Sequence, residues 1–176
     1  FVRGGYTGYD SELRSGSRLA LGVNVRKSLT DRIHLFGALS RNLRNARADV
    51  FDARFNAARF NLDYSLGRNG TVYLGGEYRR GDMVTSADPA SPFLDVAEAF
   101  APDDGYRNLG LLAYRYEAET QLWTLGYNLP LGARDALDLS LRRVRSEPTE
   151  EGRTGLYPSG EAYFSTQMML SYLMRF

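Results

Sequence analysis

Residues 165–176 read Ser-Thr-Gln-Met-Met-Leu-Ser-Tyr-Leu-Met-Arg-Phe. Taken in steps of two from the end, Phe176, Met174, Tyr172, Leu170 and Met168 make one unbroken apolar row, continued by Thr166 and Phe164. The residues between them, Arg175, Leu173, Ser171, Met169, Gln167 and Ser165, are polar at the two ends and mixed in the middle. A period of two sets these rows on opposite faces of a β-strand, so the stretch reads as an amphipathic strand.

The same period runs upstream. Leu19, Leu21, Val23 and Val25 alternate with Arg18, Ala20, Gly22, Asn24 and Arg26, and Ile33, Leu35, Gly37 and Leu39 alternate with His34, Phe36, Ala38 and Ser40. Further strands are expected over 54–66, with Phe60, Leu62, Tyr64 and Leu66 on one face, around Val72 to Tyr78, over Gln121 to Leu131 and around Leu137 to Leu141, with Phe1 to about Tyr9 opening the series and 163–176 closing it. Tyr114, Tyr116, Glu117 and Glu119 extend the sixth strand upward, as a longer ladder or with a bulge. The count is eight, joined by tight turns near 30–32, 67–70 and 132–136 and by longer connections near 10–17, 46–52, 82–114 and 146–162. Asn69-Gly70 marks the second turn as a hairpin.

Composition narrows the class. The 176 residues suit a single domain over 1–176, complete or as the membrane domain of a longer chain. No run of 18 apolar residues exists, so a transmembrane helix is excluded, whereas a transmembrane strand needs only about 9–11 residues with one apolar face. The absence of Cys excludes disulfide frameworks and thiolate metal sites, and a net charge of +1 excludes the basic footprint of nucleic-acid binding. Phe1-Val-Arg-Gly-Gly-Tyr already reads as strand and not as a signal peptide, which suits a mature form or a fragment.

Alternation alone fits two barrels, a soluble one with its apolar face inward around a ligand and a transmembrane one with that face outward. Three features favour the second. Charges of both signs share the face opposite the leucines: Arg59, Asp63, Glu77, Arg79, Asp138 and Arg142. In a narrow lumen they form a paired charge network, since buried charge survives only when paired. Apolar stripes end in arginine at the long-loop side, where Arg41 follows Leu39, Arg80 follows Tyr78, Arg143 follows Leu141 and Arg54 opens its strand. Four or five alternate apolar positions in a tilted strand span roughly 20–25 Å, about the height of a lipid-facing band. Tyr64, Tyr127, Tyr172 and Phe176 gather toward the short-turn side, as an interfacial aromatic girdle does.

The final Phe176 with Met174, Tyr172, Leu170 and Met168 at alternate positions before it resembles the C-terminal insertion signal of Gram-negative outer-membrane β-barrel proteins. The strand count is similar to that of their small eight-stranded OmpA/OmpX-like type. The resemblance implies an all-β, eight-stranded antiparallel up-and-down transmembrane β-barrel in the bacterial outer membrane. It also implies that Leu170, Tyr172, Met174 and Phe176 serve as assembly signal for the barrel-assembly machinery.

Within that frame the expected role is a non-enzymatic membrane anchor or interaction module acting through loops 82–114 and 146–162, with no cofactor. A narrow channel for small polar solutes and a lipid-modifying enzyme are the alternatives. Arg41, Arg54, Arg80 and Arg143 are placed to meet lipid and lipopolysaccharide phosphates through forked guanidinium contacts. Loop 82–114 is the candidate surface for a protein partner, with a short helix expected over 93–101. Its acids Asp88, Asp95, Glu98, Asp103 and Asp104 lack the spacing of a calcium loop. His34, the single histidine, falls beside a short turn within reach of Ser28 or Ser65, without an evident third partner for nucleophilic catalysis.

Overall fold

The computed structural model describes residues 1–8, 12–89, 97–104, 110–132, 134–149 and 162–174. It is an all-β, antiparallel, up-and-down sheet of nine strands. They are β1 (Val2–Thr7), β2 (Gly16–Ser28), β3 (Ile33–Ala46), β4 (Ala53–Ser65), β5 (Thr71–Ala87), β6 (Ala99–Pro102), β7 (Leu112–Pro130), β8 (Asp135–Pro148) and β9 (Tyr163–Met174). Eight of them lie side by side as β1-β2-β3-β4-β5-β7-β8-β9, and β6 pairs only with β7. Among the described residues β1 and β9 do not pair, so the sheet is open at both terminal edges where a closed ring was expected.

The tight turns hold the ladder in register. Leu29 N–H donates to Ile33 O at 2.9 Å, while the Thr30 hydroxyl accepts from Arg32 and Ile33 N–H. Leu66 N–H donates to Gly70 O at 2.8 Å, and Gly67 and Gly70 take positive φ (67° and 102°) on either side of the 3₁₀ turn Gly67–Asn69. Leu131 N–H closes the third turn on Asp135 O at 2.9 Å.

Two parts of the long-loop end differ from expectation. The β5–β7 ladder continues without a register shift to Ala87↔Leu112, so the sixth predicted strand extends upward with no bulge. Where a helix was expected over 93–101, residues 99–101 belong to β6, and 93–96 lie outside the described residues. The cause is the free edge of β7. Its pairing with β8 ends at Ala118↔Pro148, leaving backbone donors and acceptors above that point, and β6 satisfies them at Ala99↔Arg115 through Pro102↔Leu112. Pro102 sits at the strand end, where its missing N–H costs no ladder bond.

The buried core also lies at this end. Val50 and Phe51, from the 3₁₀ turn Asp49–Phe51, pack with Ala113 and with Val84, Ala99 and Ala101. The Arg14 guanidinium lies 4.4 Å above the Phe51 ring and pairs with Asp103 and, at 3.2 Å, Asp104. Burial on its own would lower the Arg14 pKa, but hydrogen bonds to Asp104 and Asp103 outweigh it and hold the pKa above its ordinary value. On the opposite face of the β5–β7 extension, Met83 Sδ accepts from the hydroxyls of Ser146 at 3.1 Å and Tyr116 at 3.6 Å.

Lower in the sheet, close packing occurs where a glycine admits an aromatic ring. Phe60 lies in register between Gly37 and Gly76, and Gly76 faces Trp123. The Phe60 ring leans over Gly76 and meets Trp123 edge-on, with centroids 5.6 Å apart and planes at 69°. A Cβ at Gly76 would strike that ring, whereas one at Gly37 has nothing within 4 Å. Gly76→Ala is therefore expected to lower stability by about 1–3 kcal/mol through overpacking. Gly37→Ala should be neutral or stabilising by up to about 1 kcal/mol. Urea unfolding of the two variants, followed by Trp123 emission, checks the contrast.

Candidate lipid-facing surface

Residues directly opposed across an antiparallel pair share a face, so the register assembles side-chain rows that cross the sheet. One row runs Leu35, Leu62, Leu74, Leu125, Leu141 and Met168 from β3 to β9. The next row toward the short turns runs Ile33, Tyr64, Val72, Tyr127, Leu139 and Leu170. Val23 and Val25 of β2 and Tyr172 and Met174 of β9 continue the same face at its margins. Much of this band is bare: Met168, Leu170 and Val25 are 77%, 67% and 65% exposed. The girdle tyrosines fall within it, Tyr64 and Tyr127 in one row and Tyr172 beside Leu137. Of the four assembly-signal residues, Leu170, Tyr172 and Met174 are exposed on this face, and Phe176 lies outside the described residues.

Toward the long loops the face becomes charged. Arg41 opposes Asn56, Asn56 opposes Arg80, and Arg80 opposes Glu119. Arg80 is held between two carboxylates, each 3.7 Å away, on Glu117 and Glu119. Arg145 pairs with Glu147 at 2.7 Å. Arg41, Arg54 and Arg143 make no ion pair among the described residues, and only the backbone N–H of Arg54 is tied, to Asp82 at 2.8 Å. Arg41 also lines, with Leu21, Val23, Leu39, Ala58 and Tyr78, an open and mostly apolar groove of about 700 Å³.

The six charges expected on the opposite face fall into separate groups. Glu77 lies between Arg59, at 3.1 Å, and Arg79, and its side chain is only 13% exposed. Asp63 accepts from the Asn61 amide at 2.6 Å, and Asp138 accepts from the Tyr73 hydroxyl at 2.9 Å. Arg142 opposes Thr124 and Gln167 and has no ion pair among the described residues. Gly126 makes the Tyr73–Asp138 contact feasible, because any side chain there would occupy the space of the Tyr73 ring.

The described acids of loop 82–114 are engaged internally. Asp103 is bound by Arg14 and Ser86, Asp104 by Arg14, and Glu98 lies 3.6 Å from Arg115. Among the described residues no group of three His, Asp or Glu side chains is placed to hold a metal ion. Asp95 and residues 150–161 of the other long loop fall outside the described set.

One grouping escaped sequence reasoning. Ser28 opposes His34 and His34 opposes Asp63, and the Ser28 hydroxyl lies 3.0 Å from His34 Nδ1. Spacing along the chain brings Ser28 and His34 together across a turn, but Asp63 joins them only through the β3–β4 register.

Removing the carboxylate that serves two arginines should cost more than removing one that serves a neutral amide. Glu77→Ala is expected to destabilise by about 1–3 kcal/mol, because it leaves Arg59 and Arg79 facing each other unpaired. Asp63→Ala is expected to cost less, as Asn61 is uncharged; denaturant midpoints of the two variants make the comparison.

Searches against protein-family models, curated proteins and solved structures find no match to this chain, so its function is inferred from the two faces of the sheet.

Proposed function

We propose that this chain is an outer-membrane β-barrel domain whose leucine-rich face meets lipid, and that it acts as a non-enzymatic membrane anchor and interaction module through its long loops. The observation that carries this reading is the exposed apolar band continuous from β2 to β9. Water-soluble monomers rarely expose contiguous apolar patches larger than a few hundred Å². The opposite face carries Glu77, Asp63 and Asp138 with Arg59, Arg79, Arg142 and Arg26 among its cations, which suits a narrow, polar interior.

Closure completes the proposal. A path of eight antiparallel strands alternates direction at every step, so β1 and β9 run opposite ways and are able to pair. Pairing removes two free edges, which in a membrane would leave backbone groups without partners. It also gathers Met169 and Leu173, which are 49% and 54% exposed on the polar face of β9, into the interior. Arg41, Arg54 and Arg143 then stand at the outer boundary with guanidinium groups free for lipopolysaccharide phosphate. Arg80 contributes mainly to its own carboxylate cluster. Loop 82–114 and loop 146–162 supply the surface for a protein partner, and the C-terminal strand supplies the signal read by the barrel-assembly machinery.

Trp123, the single tryptophan, is an intrinsic probe because it sits in the apolar band and is 48% exposed. In vesicles with brominated acyl chains its emission is expected to shift blue and to be quenched from the lipid, with little quenching by aqueous iodide. The reverse pattern refutes a lipid-facing band. Arg41→Ala and Arg143→Ala should lose thermal stability only when lipopolysaccharide is present, by about 0.5–2 kcal/mol each. Arg80→Ala should lose similar stability in lipopolysaccharide and in neutral detergent. In planar bilayers an anchor is silent, whereas defined conductance steps would replace it with the solute channel.

A further inference from the structure

The polar face has one concave site that the anchor reading leaves unassigned. At the short-turn end, beside the 29–32 turn, a cavity of about 540 Å³ is lined on this face by Arg26, Ser28, His34, Phe36, Asn61 and Asp63, while Lys27 and Leu35, which also border it, belong by register to the apolar face. Arg26 forms no ion pair among the described residues. Its position contrasts with that of Arg59 and Arg79 farther along the same face, which share Glu77. The Arg26 guanidinium carbon lies 5.5 Å above the Phe36 ring, a cation–π contact that limits the side chain's freedom.

The single acid in the cavity is partly occupied. Asn61 donates to Asp63 Oδ1 at 2.6 Å, and Oδ2 has no hydrogen bond among the described residues. His34 takes its hydrogen bond from the Ser28 side, at 3.0 Å, and Tyr73, which opposes Asp63, is directed to Asp138. The site therefore offers one guanidinium, a hydroxyl, an imidazole and one open carboxylate oxygen around a single space.

We propose that this cavity binds phosphate, free or as a monoester. Arg26 supplies forked, charge-assisted donors matched to phosphoryl oxygens, and the Ser28 hydroxyl and Asn61 amide add neutral donors. Asp63 Oδ2 selects among anions, because an acceptor facing an oxyanion is tolerated only when the anion brings its own proton. Inorganic phosphate keeps a P–OH in both its monoanion and its dianion, and a monoester keeps one in its monoanion, below about pH 6; that hydrogen donates to Asp63. Sulfate and a phosphodiester carry none at neutral pH, and in those complexes the carboxylate and the anion repel. This inference does not rest on membrane insertion, since the lining residues belong to β2, β3 and β4 alone.

The test uses the full chain in maltoside detergent with labelled histidine, since His34 is the only such residue and its ring signals report the cavity without overlap. Inorganic phosphate, glycerol phosphate, sulfate and dimethyl phosphate are titrated at fixed ionic strength and a fixed pH of about 5.5, where the monoester retains its P–OH. Saturable shifts are expected with either of the first two, with affinity for sulfate and dimethyl phosphate roughly tenfold weaker or more. Arg26→Gln should weaken phosphate binding by about tenfold or more, with Arg26→Lys intermediate. Asp63→Asn should bring phosphate and sulfate to similar affinity. Trp123 emission reports that each variant is folded. No saturable shift with phosphate or glycerol phosphate, equal binding of sulfate to the parent protein, or unchanged phosphate affinity in folded Arg26→Gln would overturn the assignment.

Discussion

In an antiparallel ladder, residues that face each other across a pair lie on the same side of the sheet, and every contact between strands here inherits that parity. From β2 to β9 the register holds along each principal pairing without a shift, from Gly16↔Ala46 to Asp135↔Met174. The modest alternation within each strand therefore becomes one continuous leucine-rich surface and one charged surface. A slip of one residue at any hairpin would turn that strand's apolar set to the other side. The hydrogen-bonded turns after Leu29, Leu66 and Leu131 are thus as necessary to the two-faced sheet as the leucines are.

Burial is distributed unusually for a chain of this length. Val50, Phe51 and Ala113 are sealed at the long-loop end, where the Arg14–Asp103 pair and β6 cover the extension of β5 and β7. Asp103 has no exposed side-chain surface, so its charge is tolerated only because Arg14 and Ser86 both reach it. Below that cap, among the described residues, the band has no protein cover on its apolar face. Local packing there comes from aromatic rings lying over glycines, Phe60 over Gly76 on one face and Tyr73 over Gly126 on the other. Apolar residues that a soluble protein would hide are available to a surrounding hydrocarbon phase, which links the sparse core to the proposed membrane role.

The features legible in the sequence are those that depend on near neighbours. Alternation located eight strands, and Asn69-Gly70 and the Thr30-Asp31-Arg32 segment marked turns that close within a few residues. What stayed hidden depends on pairing across the sheet. Residues 93–101 read as a short helix because apolar residues cluster there, but for 99–101 the deciding fact is the unpaired upper edge of β7, set by where β8 stops. Asp63 joins Ser28 and His34 through the β3–β4 register, and no spacing along the chain encodes that meeting. Likewise the opposite-face charges were legible as a set, while their division into a Glu77 cluster, an Asn61–Asp63 pair and a Tyr73–Asp138 pair follows from which strand lies beside which.

The arginines show why register matters for function as well as for fold. Along the chain, Leu39-Ser-Arg41, Tyr78-Arg-Arg80 and Leu141-Arg-Arg143 are equivalent signals, an apolar position followed two residues later by a cation on the same face. Across the sheet they are not equivalent. Arg80 opposes Glu119 and lies near Glu117, so its charge is largely answered within the protein. Arg41 opposes Leu21 and Asn56, and Arg143 opposes Trp123 and Thr166, so neither meets a carboxylate on an adjacent strand. A guanidinium already engaged by carboxylates must lose those contacts before it binds an external phosphate, whereas an unpaired one at the edge of an apolar band gives up only water. The same distinction, applied to the opposite face, separates Arg59 and Arg79 from Arg26. In both places the neighbouring strand, and not the local motif, determines which arginines remain available to a ligand.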